Sequence, residues 1–208
     1  VGKLETLLRA KGIETLAFTE ISANPTTVEA AAGADLLRGF EDAAVVTLGG
    51  GSAMDIGKAI ALMAANGVTA QECMPYARLT HPARPVIAVP TTAGTGSETN
   101  HYGVLVDPVV GRKFLIGQQS SLPRSVHLDP ELTLALPRIP TATCGMDVLT
   151  HAIEAYTSRQ SNPMADAQAL HAIRLIAKNL ARAVKQGDDL RARSELQSAA
   201  TLAGWAIS

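Results

Sequence analysis

The run Val45-Val46-Thr47-Leu48-Gly49-Gly50-Gly51-Ser52-Ala53-Met54-Asp55-Ile56-Gly57-Lys58 decides the fold. Its first four residues lack polar alternation, so a central strand buried on both faces is predicted. Three glycines follow, then a stretch with helical apolar spacing. Glycines between a strand and a helix let the backbone approach a ligand, and the free N–H groups at a helix start favour a phosphate, with a pyrophosphate as the natural guest. The alternative is a tight strand-to-helix turn with Ser52 as N-cap and no ligand. The spacing is not the GxGxxG of the ordinary dinucleotide fingerprint.

Outward from that unit, short β-branched runs alternate with helical stretches over the first two thirds of the 208 residues, the grammar of a parallel sheet covered by helices. Strands are predicted at 15–18, 44–48, 86–89, 104–106, 113–116 and 125–128, and helices at 27–39 and 52–65. After about Leu136 the strand signals vanish. Ala165, Ala169, Ala172, Ile173, Ile176 and Leu180 recur at three- and four-residue steps, as one buried helix face requires, while Arg174, Lys178 and Lys185 are left to solvent. Met164 and Trp205 read as core residues on helix faces. The expected fold class is α/β, with a Rossmann-like parallel-sheet nucleotide domain over 1–136 and an incomplete all-helical domain over 137–208. The chain opens on Val1, already helical and uncapped, and closes inside an apolar helix without a stop signal, so a piece of a longer protein is expected.

A formal net charge of −1 without a Lys/Arg cluster gives no electrostatic footprint for nucleic acid or an anionic membrane. No apolar run approaches the roughly 20 residues of a membrane span, and the start lacks a signal-peptide pattern. Cys73 and Cys144 form no CxxC pair, which fits a reducing, cytoplasmic compartment. Small-molecule chemistry is the expectation.

Pro90-Thr91-Thr92-Ala93-Gly94-Thr95-Gly96-Ser97-Glu98 follows a second strand of the same kind. Hydroxyls and bare backbone at strand carboxyl ends suit ribose and phosphate contacts; a turn that spends its hydroxyls on its own backbone is the alternative. Lys113, isolated on a strand, reads by itself as a solvated charge. In the helical part, Asp147 and His151 stand four apart and project from one face, within joint reach of a metal such as iron(II), zinc or manganese. Spacing alone favours the alternative, an intrahelical Asp–His hydrogen bond near a helix start. Glu154 and Cys144 lie near the same face as further ligands or as plain surface and packing residues, and His81, His101, His127 and His171 obey no spacing rule.

Taken in order, GGGSAMDIGKAIA, AVPTTAGTGSE, HLDPELTLALP and GMDVLTHAIEAY resemble the iron-containing alcohol dehydrogenase family. The likeness runs from Asn24-Pro25-Thr26 to the chain end. It implies a nucleotide domain and a helical domain with substrate and metal in the cleft between them. By that resemblance Gly50, Gly51 and Ser52 hold the pyrophosphate of NAD or NADP, Asp55 lies near the nicotinamide side, Asn24 lies at the nucleoside end, and Thr91, Thr92, Thr95, Lys113 and Leu132 complete the site. Asp147 and His151 are the first two of four ligands to a divalent metal, iron(II) or zinc. Two further histidines are expected beyond Ser208, and a strand bearing a ribose-reading Asp ahead of Val1. Asn100, where a Thr is frequent, Tyr102, and Cys144 in place of Ser or Thr depart from the family pattern. The implied function is reversible, metal-assisted hydride transfer between an alcohol and NAD(P), giving an aldehyde or ketone; apart from the resemblance, apolar surface left exposed in a partial chain points to a homo-oligomer, and the charge pattern to no nucleic-acid or membrane partner. Other readings are a glycerol dehydrogenase, a maleylacetate reductase or a sugar-phosphate lyase related to dehydroquinate synthase, and an inert nucleotide-binding module.

Overall fold

The computed structural model describes residues 1–208. In chain order the elements are α1 (Gly2–Arg9), α2 (Thr27–Arg38), β1 (Val45–Gly49), α3 (Gly51–Asn66), β2 (Val86–Pro90), β3 (Tyr102–Asp107), β4 (Arg112–Gly117), β5 (Ser125–Val126), α4 (Arg138–Thr157), α5 (Pro163–Lys185) and α6 (Leu190–Ile207). The chain is α/β, as expected. β1, β2 and β5 form a parallel sheet in that order, with Val45 opposite Val86 and Gly49 opposite Pro90.

α3 is the hub of the first core. From Met54 to Met63 almost every residue is buried, as in a helix apolar all round. Gly57 lies so close to Thr47 and Val45 that a side chain there meets the Thr47 methyl. Ile56, Ile60, Leu62 and Met63 pack with Ala30 and Ala34 of α2, Val86 of β2, and Leu105 and Ile116. α2 starts on a complete capping box, Thr26 with Glu29, and α3 ends on Gly67 in the left-handed region.

Four expectations are corrected. β1 is an edge strand rather than a central one. Val45 and Thr47 face α3, but Val46 on the opposite face is 38% exposed because that side has only partial cover. Residues 15–18 are extended yet join no ladder: Phe18 packs on the first core while Leu16 stays exposed. The runs at 104–106 and 113–116 belong to a separate antiparallel hairpin, β3–β4, since the short Pro108–Gly111 link is too short for the crossover a parallel pair needs. Met164 and Trp205 are 75% and 54% exposed, on helix faces that nothing in the chain covers.

α4, α5 and α6 build a second core, rich in alanine: Ala152, Ala155, Ala169, Ala172, Ala199, Ala200 and Ala203 around Val148, Ile176 and Leu196. Small side chains let helix axes approach closely. Gly145 faces Leu180 so tightly that an added methyl clashes with it. Asn162 and Asp189 cap α5 and α6 with their side chains. Arg193, 3% exposed, ties α6 to the entrance of α4, donating to Leu136 O at 2.9 Å, Thr141 Oγ1 at 2.7 Å and Gly187 O at 2.9 Å. No helix is long and apolar enough to cross a membrane.

Candidate functional site

The carboxyl ends of β1 and β2 place two loops side by side. Thr91 N–H donates to Gly49 O at 2.9 Å, continuing the ladder into the loops. A Cβ on Gly50 falls 3.1 Å from Thr92 Cγ2, and one on Gly51 falls 2.7 Å from Thr95 Cγ2. The glycines therefore let the threonine side chains pack against the start of α3, and the two loops together form a cradle of bare backbone and hydroxyls at the carboxyl edge of the sheet. α3 opens with Gly50 as an N-cap without a side chain to accept a bond, and the Gly51 and Ser52 N–H groups of its first turn have no acceptor within the helix. Ser52 is not the N-cap. Its hydroxyl donates to Ala23 O at 2.7 Å, drawing the segment with Asn24 to the helix start. An unoccupied-by-side-chain helix start beside bare backbone and hydroxyls is what a pyrophosphate requires.

Lys113 and Leu132 are less closely tied. Lys113, opposite Val106 in the hairpin, is exposed and makes no ion pair; Leu132, on the 3₁₀ turn Pro130–Thr133, is 38% exposed.

Beneath the second loop lies a polar network that motif reading missed. Lys58, with 0% exposure, donates from Nζ to Ser97 O at 2.5 Å, Ser97 Oγ at 2.7 Å and Tyr102 O at 2.6 Å, with Asn100 Oδ1 at 3.4 Å. Ser97 Oγ in turn donates to Asp55 Oδ1 at 2.7 Å, and Val104 N–H to Asp55 Oδ2 at 3.0 Å. Asp55 thus anchors the loop and the hairpin. Asn100 Oδ1 also accepts from Tyr102 N–H at 2.9 Å, which gives the departure at that position a structural use. Glu98, 4% exposed, accepts from Thr201 Oγ1 of α6 at 3.0 Å.

Burial dominates the titration of these groups. It pulls the Lys58 ammonium down to about 8, against the charges of Asp55 and Glu98. It raises Asp55 despite the Ser97, Val104 and Lys58 contacts, and raises Glu98 despite its own backbone, Thr201 and Lys58. Desolvation, then the Lys58 charge, lowers His101. Because Glu98 holds its proton more tightly folded than unfolded, its contribution to stability is complete below its ordinary value of 4.5 and is lost as pH rises through the raised value. Glu98→Gln keeps the acceptor for Thr201 and removes that loss. Its melting temperature relative to the parent is expected to climb between about pH 4.5 and neutrality; a pH-independent difference refutes the assignment.

The helical layer touches the same loop. A Cβ on Gly94 falls 3.0 Å from Cys144 Cβ on α4, one turn before Asp147. His151 Nε2 lies 3.7 Å from Asp147 Oδ1, too long for the intrahelical hydrogen bond that spacing alone allowed. His151 Nδ1 is buried without any partner. A carboxylate and an imidazole with unspent bonding capacity on one face fit a divalent metal. Neither Glu154 nor Cys144 joins them in a group of three or more side chains that could hold a metal ion. Cys144 instead packs against Gly94. His127 Nε2 pairs with Ser125 Oγ at 3.1 Å, and His101 lies tilted against Tyr102 with ring centroids 4.0 Å apart.

The model of the family described as iron-containing alcohol dehydrogenase matches residues 1–130, and that of the C-terminal part of the Fe-containing alcohol dehydrogenase family matches 141–208. The chain is 41% identical over 208 residues to 1,3-propanediol dehydrogenase of Citrobacter freundii, covering 100% of itself and 54% of that protein. It is 36% identical over 201 residues to NAD-dependent methanol dehydrogenase of Bacillus methanolicus, covering 97% and 53%. Sulfoacetaldehyde reductase from Bifidobacterium kashiwanohense, solved in complex with NAD+, aligns with a TM-score of 0.92 at 37% identity, over 99% of this chain and 55% of that one. The chain spans about half the length of the curated relatives it matches.

Proposed function

We propose, from the fact that this chain belongs to the iron-containing alcohol dehydrogenase family, that the protein carrying it is an oxidoreductase that moves hydride reversibly between a small alcohol and NAD(P), yielding an aldehyde or ketone. The observation that carries the reading is the cradle between Gly50–Gly51 and Thr92–Thr95, with the helix of Asp147 and His151 touching the same loop at Gly94. Residues 1–136 serve as the nucleotide domain and 137–208 as part of the metal domain, a division supported by their separate cores.

In this reading the Gly51 and Ser52 N–H groups bind the pyrophosphate, with Gly50 leaving the backbone bare beside Thr92. Asn24, drawn in by the Ser52–Ala23 bond, lies at the nucleoside end. Thr91, Thr92 and Thr95 line the opposite wall, Lys113 and Leu132 flank it, and Asp55 secures the nicotinamide side by holding Ser97. Asp147 and His151 supply two ligands to iron(II) or zinc. When bound, the metal polarises the alcohol or carbonyl oxygen and the nicotinamide carries the hydride. The residues named here act by binding and alignment, which supplies proximity. The names of the relatives favour short primary alcohols and diols as substrates. Exposed Ile139, Met164 and Trp205 favour self-association, and two free cysteines suit the cytoplasm.

The test is nicotinamide absorbance with the full-length protein, short primary alcohols or aldehydes, and added iron(II) or zinc. Turnover that requires both metal and cofactor is expected. Tight cofactor binding without turnover overturns the proposal in favour of an inert nucleotide-binding module.

A further inference from the structure

Lys58 is the one fully buried ammonium in the chain, and no carboxylate lies within ion-pair distance of it. A side chain that only filled space there would be better apolar, since a buried charge must be compensated by fixed dipoles. Its acceptors have one thing in common. Ser97 O, Ser97 Oγ, Asn100 Oδ1 and Tyr102 O all lie on the stretch by which the second loop leaves the cradle.

That stretch is bent and gripped from both sides. Gly96 takes φ +63°, and its Cα lies so close to α6 that a Cβ on Gly204 falls 2.9 Å from it and one on Gly96 falls 2.7 Å from Gly204 Cα. Ser97 N–H donates to Thr95 Oγ1 at 3.3 Å, and Thr95 is the side chain facing Gly51. A continuous series of contacts therefore runs from Lys58 through Ser97 and Thr95 to the cradle, while Glu98 and Thr201 fasten the same bend to the helical layer.

We propose that Lys58 is a positioning residue for the nicotinamide cofactor: held inside α3, it fixes Ser97 and so sets Thr95 against Gly51. The inference rests on the proposed NAD(P) site. It assigns to Lys58 no contact with cofactor or substrate, so its loss acts on cofactor affinity before chemistry.

The experiment uses the full-length protein and two variants. Lys58→Met, of similar length but uncharged, is expected to raise the NAD(P) dissociation constant, read by nicotinamide fluorescence, and KM for the cofactor by about tenfold, with kcat at saturating cofactor changing less than about threefold. Metal content stays at the parent level. Ser97→Ala removes the hydroxyl that links Lys58 to Asp55 and donates nothing new; it is expected to shift the dissociation constant in the same direction by a smaller factor. A folded Lys58→Met protein with parental cofactor affinity overturns the proposal. Should that variant not fold, parental affinity in Ser97→Ala overturns it. Failure of the parent itself to bind NAD(P) strikes the proposed function first, and this inference with it.

Discussion

Gly51→Val is expected to weaken NAD(P) binding by about 100-fold or more, equivalent to roughly 2.7 kcal/mol, while the fold survives. The geometry separates the two effects. A Cβ at position 51 falls 2.7 Å from Thr95 Cγ2 and 3.0 Å from Thr95 Oγ1, so valine must push the Thr95 side chain away from the start of α3 and cover the N–H groups there. Thr95 is exposed and can turn outward, which limits the cost to the folded state to about 1–2 kcal/mol of overpacking. Helical backbone at position 51 suits valine better than glycine, and no left-handed conformation is at stake. The cofactor has no such escape, because phosphate oxygens must reach the N–H groups that the new side chain covers. Titration of nicotinamide fluorescence alongside thermal unfolding checks both halves. A variant that melts with the parent and binds cofactor equally well removes the pyrophosphate from this cradle.

The strand, the glycines and the helix of that unit were legible because each leaves a local mark: an unbroken apolar run, then residues without side chains, then three- and four-residue apolar steps. The same holds for α5, where Ala169, Ala172 and Ile176 of the expected face are buried and Ile173 and Leu180 pack against the same core. Sheet membership was not legible from runs alone. Whether β1 lies at a centre or an edge depends on what packs on its far side, and Val46 carries no sign of that. The hairpin could have been read from the link Pro108-Val109-Val110-Gly111, where Asp107 Oδ1 accepts from Val109 N–H and Gly111 takes φ +65°. Lys58 was missed because a lysine on a helix reads as solvated. The signal was present: Asp55 and Lys58 are the only charged residues between Ser52 and Ala65, three apart on one face of an otherwise apolar helix. A helix buried all round has no solvent face to give them, so they had to be paired with something inside. The cradle's Cβ geometry, by contrast, is set by tertiary packing and has no sequence signature, whereas the Asp147–His151 pair follows from its four-residue spacing and only the 3.7 Å between the two groups was left to the structure.

His151→Ala in the full-length protein is expected to abolish stoichiometric metal binding and to lower turnover by about 10³-fold or more, with cofactor affinity nearly unchanged. Loss of the imidazole removes one of the four expected ligands and leaves Asp147 as the only one from this chain, an incomplete site that holds a divalent ion far less tightly. The fold provides a second, independent reading. In the metal-free state His151 leaves a buried Nδ1 without a partner, a cost that alanine removes, and alanine is the better helix former. The metal-free variant is therefore expected to melt no lower than the metal-free parent. Added iron(II) or zinc should then raise the parent's melting temperature and leave the variant's unmoved, as mass action on a native-state site requires. An imidazole serving only the helix predicts the reverse on both counts: a destabilised metal-free variant, and equal metal content by elemental analysis. Those results together would return Asp147 and His151 to the role of an ordinary helical pair.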